Sequence, residues 1–179
     1  AKRTGELVND LLLLAKLDQG RPIGTDPVPL SQIVEDSVAD LRAVQPGRQV
    51  ESDVEPGIEV AGDEPRLRQV VANVLANTRV HAGESQVRVS LHTSGDQACL
   101  VVADEGPGLT EPQATHIFER FWRAEDARVR ETGGSGLGLS IVDSVIRAHG
   151  GATSIETELG EGLAFTALIP LGEPTQSDG

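Results

Sequence analysis

Apolar residues recur at three- and four-residue intervals in several segments of the chain, which predicts helices. The predicted helices cover residues 1–19, residues 31–45, a stretch that begins after residue 63, and residues 137–149. Ser31 and Asp63 stand where the N-caps of the second and third helices are expected. Pro46 and Gly47 follow the second helix and Gly150 follows the fourth, so these two helices also have stop signals.

Alternating apolar and polar residues between the helices predict strands. The expected strands are residues 49–54, 58–61, 87–91, 98–104, 153–158 and 163–169. Turn sequences at residues 55–57, 94–96 and 159–162 join them in neighbouring pairs, which predicts β-hairpins. Hairpins mixed with helices predict an α+β fold, a two-layer α/β sandwich in which about three helices cover one face of a mixed, mostly antiparallel sheet.

The pattern divides the chain into a helix, a linker, a domain and a tail. Residues 1–20 carry Leu7, Leu11 and Leu14 near heptad spacing, which is typical of a coiled coil or a helical hairpin; burial against its own domain is the alternative. Residues 21–29 are predicted as a linker, residues 30–170 as the folded domain and residues 171–179 as a polar tail. The chain starts inside a helical pattern and contains no Met, so we expect a longer parent protein.

Composition restricts the classes of function. The formal net charge is −13, which disfavours broad attraction to nucleic acid or to an anionic membrane, so a phosphate ligand would have to be bound locally. The longest apolar run, residues 11–15, is far too short to span a bilayer. The single cysteine, Cys99, excludes an internal disulfide and is expected to be a small core residue.

Three polar side chains interrupt the third predicted helix. Asn73, Asn77 and His81 are four residues apart, so they share one helix face. Asn is unfavourable inside a helix, and a functional stripe of this kind would need a ligand such as a metal ion or a phosphate. A solvated helix face is the alternative interpretation of these three residues alone.

Two glycine-rich segments follow the asparagine helix. Asp104 ends a predicted strand and precedes Gly106 and Gly108, an arrangement that either brings a carboxylate and bare backbone against a ligand or is an ordinary turn. Residues 133–140 read Gly-Gly-Ser-Gly-Leu-Gly-Leu-Ser and lead into the fourth helix, whose N-terminus would favour phosphate. Their spacing matches neither the dinucleotide-binding signature nor the P-loop.

Taken in order, four features resemble the ATP-binding catalytic domain of bacterial two-component sensor histidine kinases. They are the asparagine helix, the Asp-x-Gly-x-Gly turn, an aromatic segment at residues 118–123 and the Gly-x-Gly-x-Gly helix start. The resemblance extends from the linker to Ile169. Residues 6–18 also look like the end of that family's second dimerisation helix, so residues 1–20 would be the stub of a dimerisation hairpin.

The resemblance implies ATP and Mg²⁺ as cofactors and assigns roles to the residues. Asn77 would bind Mg²⁺ through its amide oxygen, and Asp104 would accept a hydrogen bond from the adenine amino group. Residues 109–135 would form a mobile lid, with Arg123 placed to reach the terminal phosphates. The other implied nucleotide contacts are Val80, His81, Gly106, Gly108, Leu109, Ile117, Gly134, Ser135, Gly136, Leu137, Gly138 and Leu139.

Three positions depart from patterns seen in the superfamily. Val80 stands where family members often carry a basic residue, so either Arg79 or His81 is the candidate for phosphate contact. Thr78 replaces a common alanine, a change from which we expect little effect. Hydrolytic relatives place a Glu as general base four residues before the metal-binding Asn, and this chain has Asn73 there, whose amide cannot take up that proton.

We therefore predict the ATP-binding catalytic domain of a sensor histidine kinase, with Asn73 and Arg123 as catalytic residues. It would donate the ATP γ-phosphate to a histidine on its own dimerisation domain, within a homodimer, for relay to a response-regulator aspartate. None of the four histidines stands in the context of the family's phosphoacceptor. The alternatives are a nucleotide-sensing or protein-binding module without turnover, and an ATPase of the same superfamily.

The expected partners and location follow from the charge and from the resemblance. We expect no nucleic-acid partner and no direct membrane contact by this part of the protein. The family implies a cytoplasmic portion of a bacterial protein anchored in the inner membrane.

Overall fold

The computed structural model describes residues 2–123 and 134–172. Its helices are α1 (Lys2–Asp18), α2 (Leu30–Val44), α3 (Glu64–His81), α4 (Glu111–His116) and α5 (Gly138–Ala148). Its strands are β1 (Asp26–Pro29), β2 (Val50–Val54), β3 (Glu59–Gly62), β4 (Val87–Ser94), β5 (Gln97–Asp104), β6 (Ala152–Glu158) and β7 (Gly162–Pro170). Residues 124–133 of the predicted lid and residues 173–179 of the predicted tail lie outside the described residues.

Five strands form the main sheet in the order β2-β4-β5-β7-β6. β2 pairs with β4 in parallel, whereas the pairs β4–β5, β5–β7 and β6–β7 are antiparallel. β1 and β3 form a separate two-stranded antiparallel sheet, in which Val28 lies opposite Val60. The prediction of an α+β fold with a mixed, mostly antiparallel sheet is confirmed.

Helices α2, α3 and α5 pack on one face of the main sheet. Alternate strand residues such as Val89 and Leu100 point toward these helices and are fully buried. Cys99 lies on the opposite face and is only partly buried, so its predicted place in the core is wrong. The two-residue period of β5 explains the difference, because neighbouring residues of a strand face opposite sides of the sheet.

Two predicted N-caps have different outcomes. Asp63 caps α3 as predicted, since its Oδ1 accepts a hydrogen bond from the Arg66 amide at 3.2 Å. Ser31 does not cap α2, because it already lies within the helix. Its hydroxyl instead donates to the Glu55 carbonyl at 2.6 Å and accepts from the Ile58 amide at 2.9 Å, which fastens α2 to the turn between β2 and β3.

The hairpin predicted for residues 49–61 is wrong. β2 and β3 flank the turn as expected, but β2 pairs with β4 and β3 pairs with β1. Part of the predicted linker, Asp26–Pro29, is strand β1. The hairpins formed by β4 with β5 and by β6 with β7 are confirmed.

Helix α1 packs against α5 through the buried side chains of Leu13 and Leu14. An ion pair between Asp18 and Arg120, 2.6 Å long, joins its C-terminal end to the segment after α4. Other apolar residues of the helix are exposed, among them Leu12, with 54% of its surface accessible. Among the described residues, no helix has both the length and the apolar character needed to cross a membrane.

Candidate functional site

A cavity of about 440 Å³ lies between α3, the loop after β5, the segment after α4 and the start of α5. Its lining residues are Glu6, Asp10, Asn73, Ala76, Asn77, Val80, His81, Asp104, Pro107, Gly108, Leu109, Ile117, Trp122, Arg123, Gly134, Ser135, Gly136, Gly138, Leu139 and Leu163. The asparagine helix, the aspartate-glycine turn and the glycine-rich helix start, which are distant in sequence, therefore meet at one place.

Two residues of the predicted site do not line this cavity. Leu137 has no accessible surface and packs in the hydrophobic core, although its neighbours Gly136 and Gly138 are lining residues. Gly106 stands behind the cavity wall, where an added Cβ would come within 2.7 Å of the Ala82 Cβ. Its role is to let two segments approach closely, a role that only the absence of a side chain permits.

Asp104 brings a carboxylate to the cavity from the end of β5. Only 9% of its surface is accessible, and its Oδ1 accepts a hydrogen bond from the Gly106 amide at 2.9 Å. Burial raises the pKa of Asp104 because it disfavours the charged form, while the Gly106 amide and the positive charge of Arg48 oppose that shift. A buried carboxylate of this kind, when ionised, is a strong acceptor for a ligand that offers an N–H group.

Glycines hold the loop after β5 against the β6–β7 turn. Gly108 has a φ of +65°, and an added Cβ would lie 2.0 Å from the Glu158 carbonyl oxygen. The Leu109 amide donates to the Thr157 hydroxyl at 3.0 Å, and the Gly160 amide donates to the Pro107 carbonyl at 2.7 Å. The described beginning of the predicted lid is thus tied to the sheet.

The asparagine stripe of α3 faces the cavity. The Asn73 side-chain amide donates to the Gly138 carbonyl at 3.3 Å, which joins α3 to the first residue of α5. Asn77 and His81 follow on the same face and also line the cavity. The solvated-face interpretation of the stripe therefore does not describe Asn73, whose amide nitrogen bonds to a neighbouring helix.

His81 and Arg123 supply the basic groups of the lining. Burial lowers the pKa of His81 and the positive charge of Arg123 lowers it further, while the charge of Asp104 opposes the shift. The lining includes His81 but not Arg79, although the sequence left both as candidates for phosphate contact. The lowered pKa of His81 favours its neutral form.

The aromatic segment follows α4 and is hydrogen-bonded to the glycine-rich segment that precedes α5. Phe118 packs on the core, Trp122 lines the cavity and Phe121 is 55% exposed. The Phe121 amide donates to the Gly136 carbonyl at 2.9 Å, and Phe121 has a φ of 61°, unusual for a residue with a side chain. Gly136 has a φ of +76° and would carry any Cβ to within 2.9 Å of the Phe121 backbone.

Sequence reasoning missed two acidic residues at the site. Glu6 and Asp10 of α1 line the cavity, and the Gln69 side-chain amide donates to Asp10 Oδ1 at 3.4 Å. Burial and the nearby charge of Glu6 raise the pKa of Asp10. No local signal marks these residues in the sequence, because their place depends on how α1 packs.

The donor chemistry of the cavity suits a hard cation that arrives with its own anionic ligand. The described residues contain no cluster of three His, Cys, Asp or Glu side chains able to hold a metal ion. The amide oxygen of Asn77 is a neutral ligand, and the remaining oxygens would have to come from a phosphate group or from water.

Comparison with known families agrees with this site. The sequence model for histidine kinase-, DNA gyrase B-, and HSP90-like ATPases matches residues 62–173, a range that contains the asparagine helix and both glycine segments. The chain belongs to this family of ATP-binding domains.

Individual relatives define the type of domain more narrowly. TcrY of Mycobacterium tuberculosis, a probable sensor histidine kinase by name, is 41% identical over 172 residues, which cover 95% of this chain and 36% of TcrY. The sensor protein RstB of Escherichia coli is 36% identical over 167 residues, covering 92% of this chain and 38% of RstB. The chain thus spans about a third of the length of these curated relatives.

Solved structures agree as well. The mycobacterial sensor histidine kinase MprB is 32% identical, with a TM-score of 0.73, and the match covers 81% of this chain and 97% of that one. ShkA, solved in complex with AMPPNP, is 30% identical with a TM-score of 0.77, covering 92% of this chain and 35% of that one. The protein described here is the catalytic ATP-binding domain of a two-component sensor histidine kinase, as the sequence predicted.

Proposed function

We propose that the cavity binds magnesium ATP and that the domain transfers the γ-phosphate to a histidine of a dimerisation domain. The observation that supports this proposal is the meeting of Asn77, Asp104 and the glycine-rich start of α5 around one cavity. They offer, respectively, a neutral oxygen ligand, a buried hydrogen-bond acceptor and backbone amides at a helix N-terminus.

The proposed orientation of the nucleotide follows from these three groups. The adenine amino group donates to Asp104, next to the Gly106–Gly108 loop. The triphosphate extends toward Gly134, Ser135 and Gly136, where the positive end of the α5 dipole favours negative charge. The Asn77 side-chain oxygen would hold Mg²⁺, which would offset the negative charge of the phosphates.

Basic residues complete the proposed phosphate site. Arg123 would contact the terminal phosphates, and His81 would contribute a hydrogen bond when neutral and a positive charge when protonated. The apolar contacts around the nucleotide would come from Val80, Leu109, Ile117 and Leu139. Ligand sites commonly combine an apolar lining of this kind with a few polar groups.

Asn73 favours phosphoryl transfer over hydrolysis. Its amide is engaged with the Gly138 carbonyl and has no basic nitrogen or carboxylate that could deprotonate water. In the proposed reaction a histidine ring nitrogen attacks the γ-phosphorus, the N–P bond forms, and the bond to the ADP oxygen breaks. The binding site thus holds ATP until that nucleophile arrives.

The partners of the proposed reaction lie in the parent protein and beyond it. We propose a homodimer in which residues 1–20 continue a dimerisation hairpin, and relay of the phosphate to a response-regulator aspartate. The names of TcrY, RstB and MprB, each a sensor protein, support this setting. A cytoplasmic location in a membrane-anchored parent belongs to the same proposal.

A transfer assay tests the function. The chain is incubated with magnesium ATP and a dimerisation hairpin that carries the acceptor histidine, and acid-labile phosphate on the hairpin is measured. We expect transfer with the native chain and loss of transfer with Asn77→Asp, since a charged ligand alters the metal site. ATP binding without transfer would favour a nucleotide-sensing module, and steady hydrolysis without the hairpin would favour an ATPase.

A further inference from the structure

Arg48 is a buried arginine outside the cavity. It lies in the connection between α2 and β2, and only 6% of its surface is accessible. A buried guanidinium is costly unless its N–H groups are satisfied, so its hydrogen-bond partners indicate what it stabilises.

The partners of Arg48 come from three separate segments. Its Nε donates to the Ser85 carbonyl at 2.7 Å and its Nη1 donates to Gln45 Oε1 at 3.0 Å. Its Nη2 donates to the Thr78 carbonyl at 3.3 Å, and Nη1 also lies 3.5 Å from the Thr78 hydroxyl. One side chain therefore connects the end of α2, the last turn of α3 and the turn that follows α3.

Two of these three segments, the last turn of α3 and the turn that follows it, adjoin the proposed nucleotide site. Thr78 directly follows Asn77 and is 3% exposed. The turn at residues 82–86 continues to Gln86, whose carbonyl accepts the Glu105 amide at 3.1 Å, and Ala82 of this turn is the residue against which Gly106 packs. The turn at residues 82–86 therefore contacts and supports the residues that directly follow Asp104.

The positive charge of Arg48 is a second link between this residue and the proposed nucleotide site. The neighbours that accept hydrogen bonds from Arg48 are two carbonyls, an amide and a hydroxyl, all of them neutral. Asp104 is the opposite charge that acts on the guanidinium. The positive charge therefore favours the ionised state of Asp104 across the protein interior, where charges are weakly screened.

We propose that Arg48 is a positioning residue for nucleotide binding, which holds the end of α3 and the turn at residues 82–86 in place behind Asp104 and Asn77. It does not touch the nucleotide. The inference rests on the proposed site and adds to it a residue that the sequence pattern did not indicate, since Pro46 and Gly47 mark this segment only as a helix stop.

The test compares Arg48→Met with Arg42→Met. Arg42 is a matched control, because it also donates to backbone and side-chain acceptors on β2, at Val50 and Ser52, but makes these bonds at the surface. Affinity for magnesium ADP is measured by calorimetry from pH 5 to pH 8. We expect Arg48→Met to lower the affinity about tenfold at pH 8, the effect of losing about one charge-assisted interaction, and Arg42→Met to leave it unchanged.

The pH profile separates positioning from packing. Among the charged groups around Asp104, Arg48 and His81 act on its pKa, and Arg123 acts on the pKa of His81. Without Arg48 the acid loss of affinity moves to higher pH, and Arg48→Lys, which keeps the charge, returns it toward the native profile. An Arg48→Met affinity equal to that of Arg42→Met, or an acid loss of affinity that stays at its native pH in Arg48→Met, would overturn the proposal.

Two further results keep the inference distinct from the proposed site. If Asp104→Asn leaves ADP affinity unchanged, the adenine site itself is misplaced, whatever Arg48 does. If Arg48→Met does not fold, Arg48→Lys carries the test: an affinity loss of about threefold with a native pH profile supports positioning, and native affinity contradicts it.

Discussion

The Asp104 carboxylate is buried, and its Oδ1 accepts a hydrogen bond from the protein backbone. Its Oδ1 is held by the Gly106 amide, so the orientation of the group is fixed before any ligand arrives. Asparagine at this position would keep an acceptor for that amide and replace the other oxygen by an N–H donor. The Asp104→Asn exchange therefore probes recognition with little change in shape.

We expect Asp104→Asn to weaken ADP binding by about 2 kcal/mol, or about 30-fold, because two donors would face each other. Binding of GDP should weaken less, since its O6 is an acceptor that the new amide can serve. Calorimetric affinities for both nucleotides check this. Asp96→Asn, at the opposite end of β5 in an exposed turn, is the control and should change neither affinity.

The pH dependence of binding has a defined sign. The pKa of Asp104 is raised by burial, so on acidification the carboxylate takes up its proton at a higher pH than the ordinary value of about 4 and loses acceptor strength. ADP affinity should therefore fall as the pH drops through this raised pKa. His81→Asn removes the opposing gain from His81 protonation, and a flat profile in that variant would contradict the prediction.

The same shift has the opposite effect on the stability of the ligand-free domain. Between the unfolded pKa and the raised folded pKa, the folded chain holds more protons than the unfolded chain. The Asp104 contribution to the free energy of unfolding therefore decreases as the pH rises through this window. Protonation of Asp104 is thus expected to lower ADP affinity and to raise the free energy of unfolding of the ligand-free domain.

Site residues were predictable where their signal is local. The spacing of Asn73 and Asn77 on one helix, and the glycines that closely follow Asp104, can be read from neighbours in sequence. Arg48 and Asp10 gave no such signal, because the place of each depends on tertiary packing between distant segments. Thr78, expected to matter little, is buried and accepts hydrogen bonds from Arg48.

At the scale of elements, the loop after β5 is held by the hairpin of β6 and β7. Gly108 adopts a left-handed conformation directly against the Glu158 carbonyl, so both the backbone angle and the space require glycine. Gly57, in the turn between β2 and β3, has a similar φ of +78° but nothing within 4 Å of an added Cβ. The two glycines separate the effect of conformation from that of contact.

We expect Gly108→Ala to lower the free energy of unfolding by about 3 kcal/mol, since strain and a backbone clash combine. Gly57→Ala should cost about 1 kcal/mol from conformation alone. Urea denaturation of both variants checks this difference. Equal losses would mean that the loop moves freely away from β6, contrary to its hydrogen bonds with Thr157 and Gly160.

Helices and most strands were predictable from periodicity. The pairing of β2 and β3 was not, and the reason is physical. The turn at residues 55–57 has the composition of a hairpin turn, yet β2 and β3 pair with β4 and β1. Turn composition reports local bending, whereas pairing depends on which strand is available across the sheet. The hydroxyl of Ser31 bonds to the Glu55 carbonyl and to the Ile58 amide, on the two sides of this turn.

At the scale of the whole molecule, α1 is attached to the domain mainly by apolar packing. The ion pair of Asp18 with Arg120 is roughly half exposed, with accessible fractions of 53% and 44% for the two side chains. Exposed pairs contribute about 0.2–1 kcal/mol. Leu14, with no accessible surface, contributes more.

We expect Leu14→Ala to lower the free energy of unfolding by about 3 kcal/mol through the cavity it leaves. Leu12→Ala, on the exposed side of the same helix, should stay within about 0.5 kcal/mol. Urea denaturation at two protein concentrations makes the comparison. A concentration-dependent loss in Leu12→Ala would show instead that this side of α1 packs against a second chain.

The strand order has a consequence for biosynthesis. Of the strands that the structure describes, β7 is synthesised last. It lies between β5 and β6, and its residues up to Pro170 pair with both. Until β7 emerges from the ribosome, the edges of β5 and β6 that it will pair with are unpaired. Unpaired strand edges are sites at which nascent chains aggregate. The five-stranded sheet depends on β7 to join β5 to β6. A ribosome that stalls before β7 has emerged therefore leaves a chain that cannot complete its sheet.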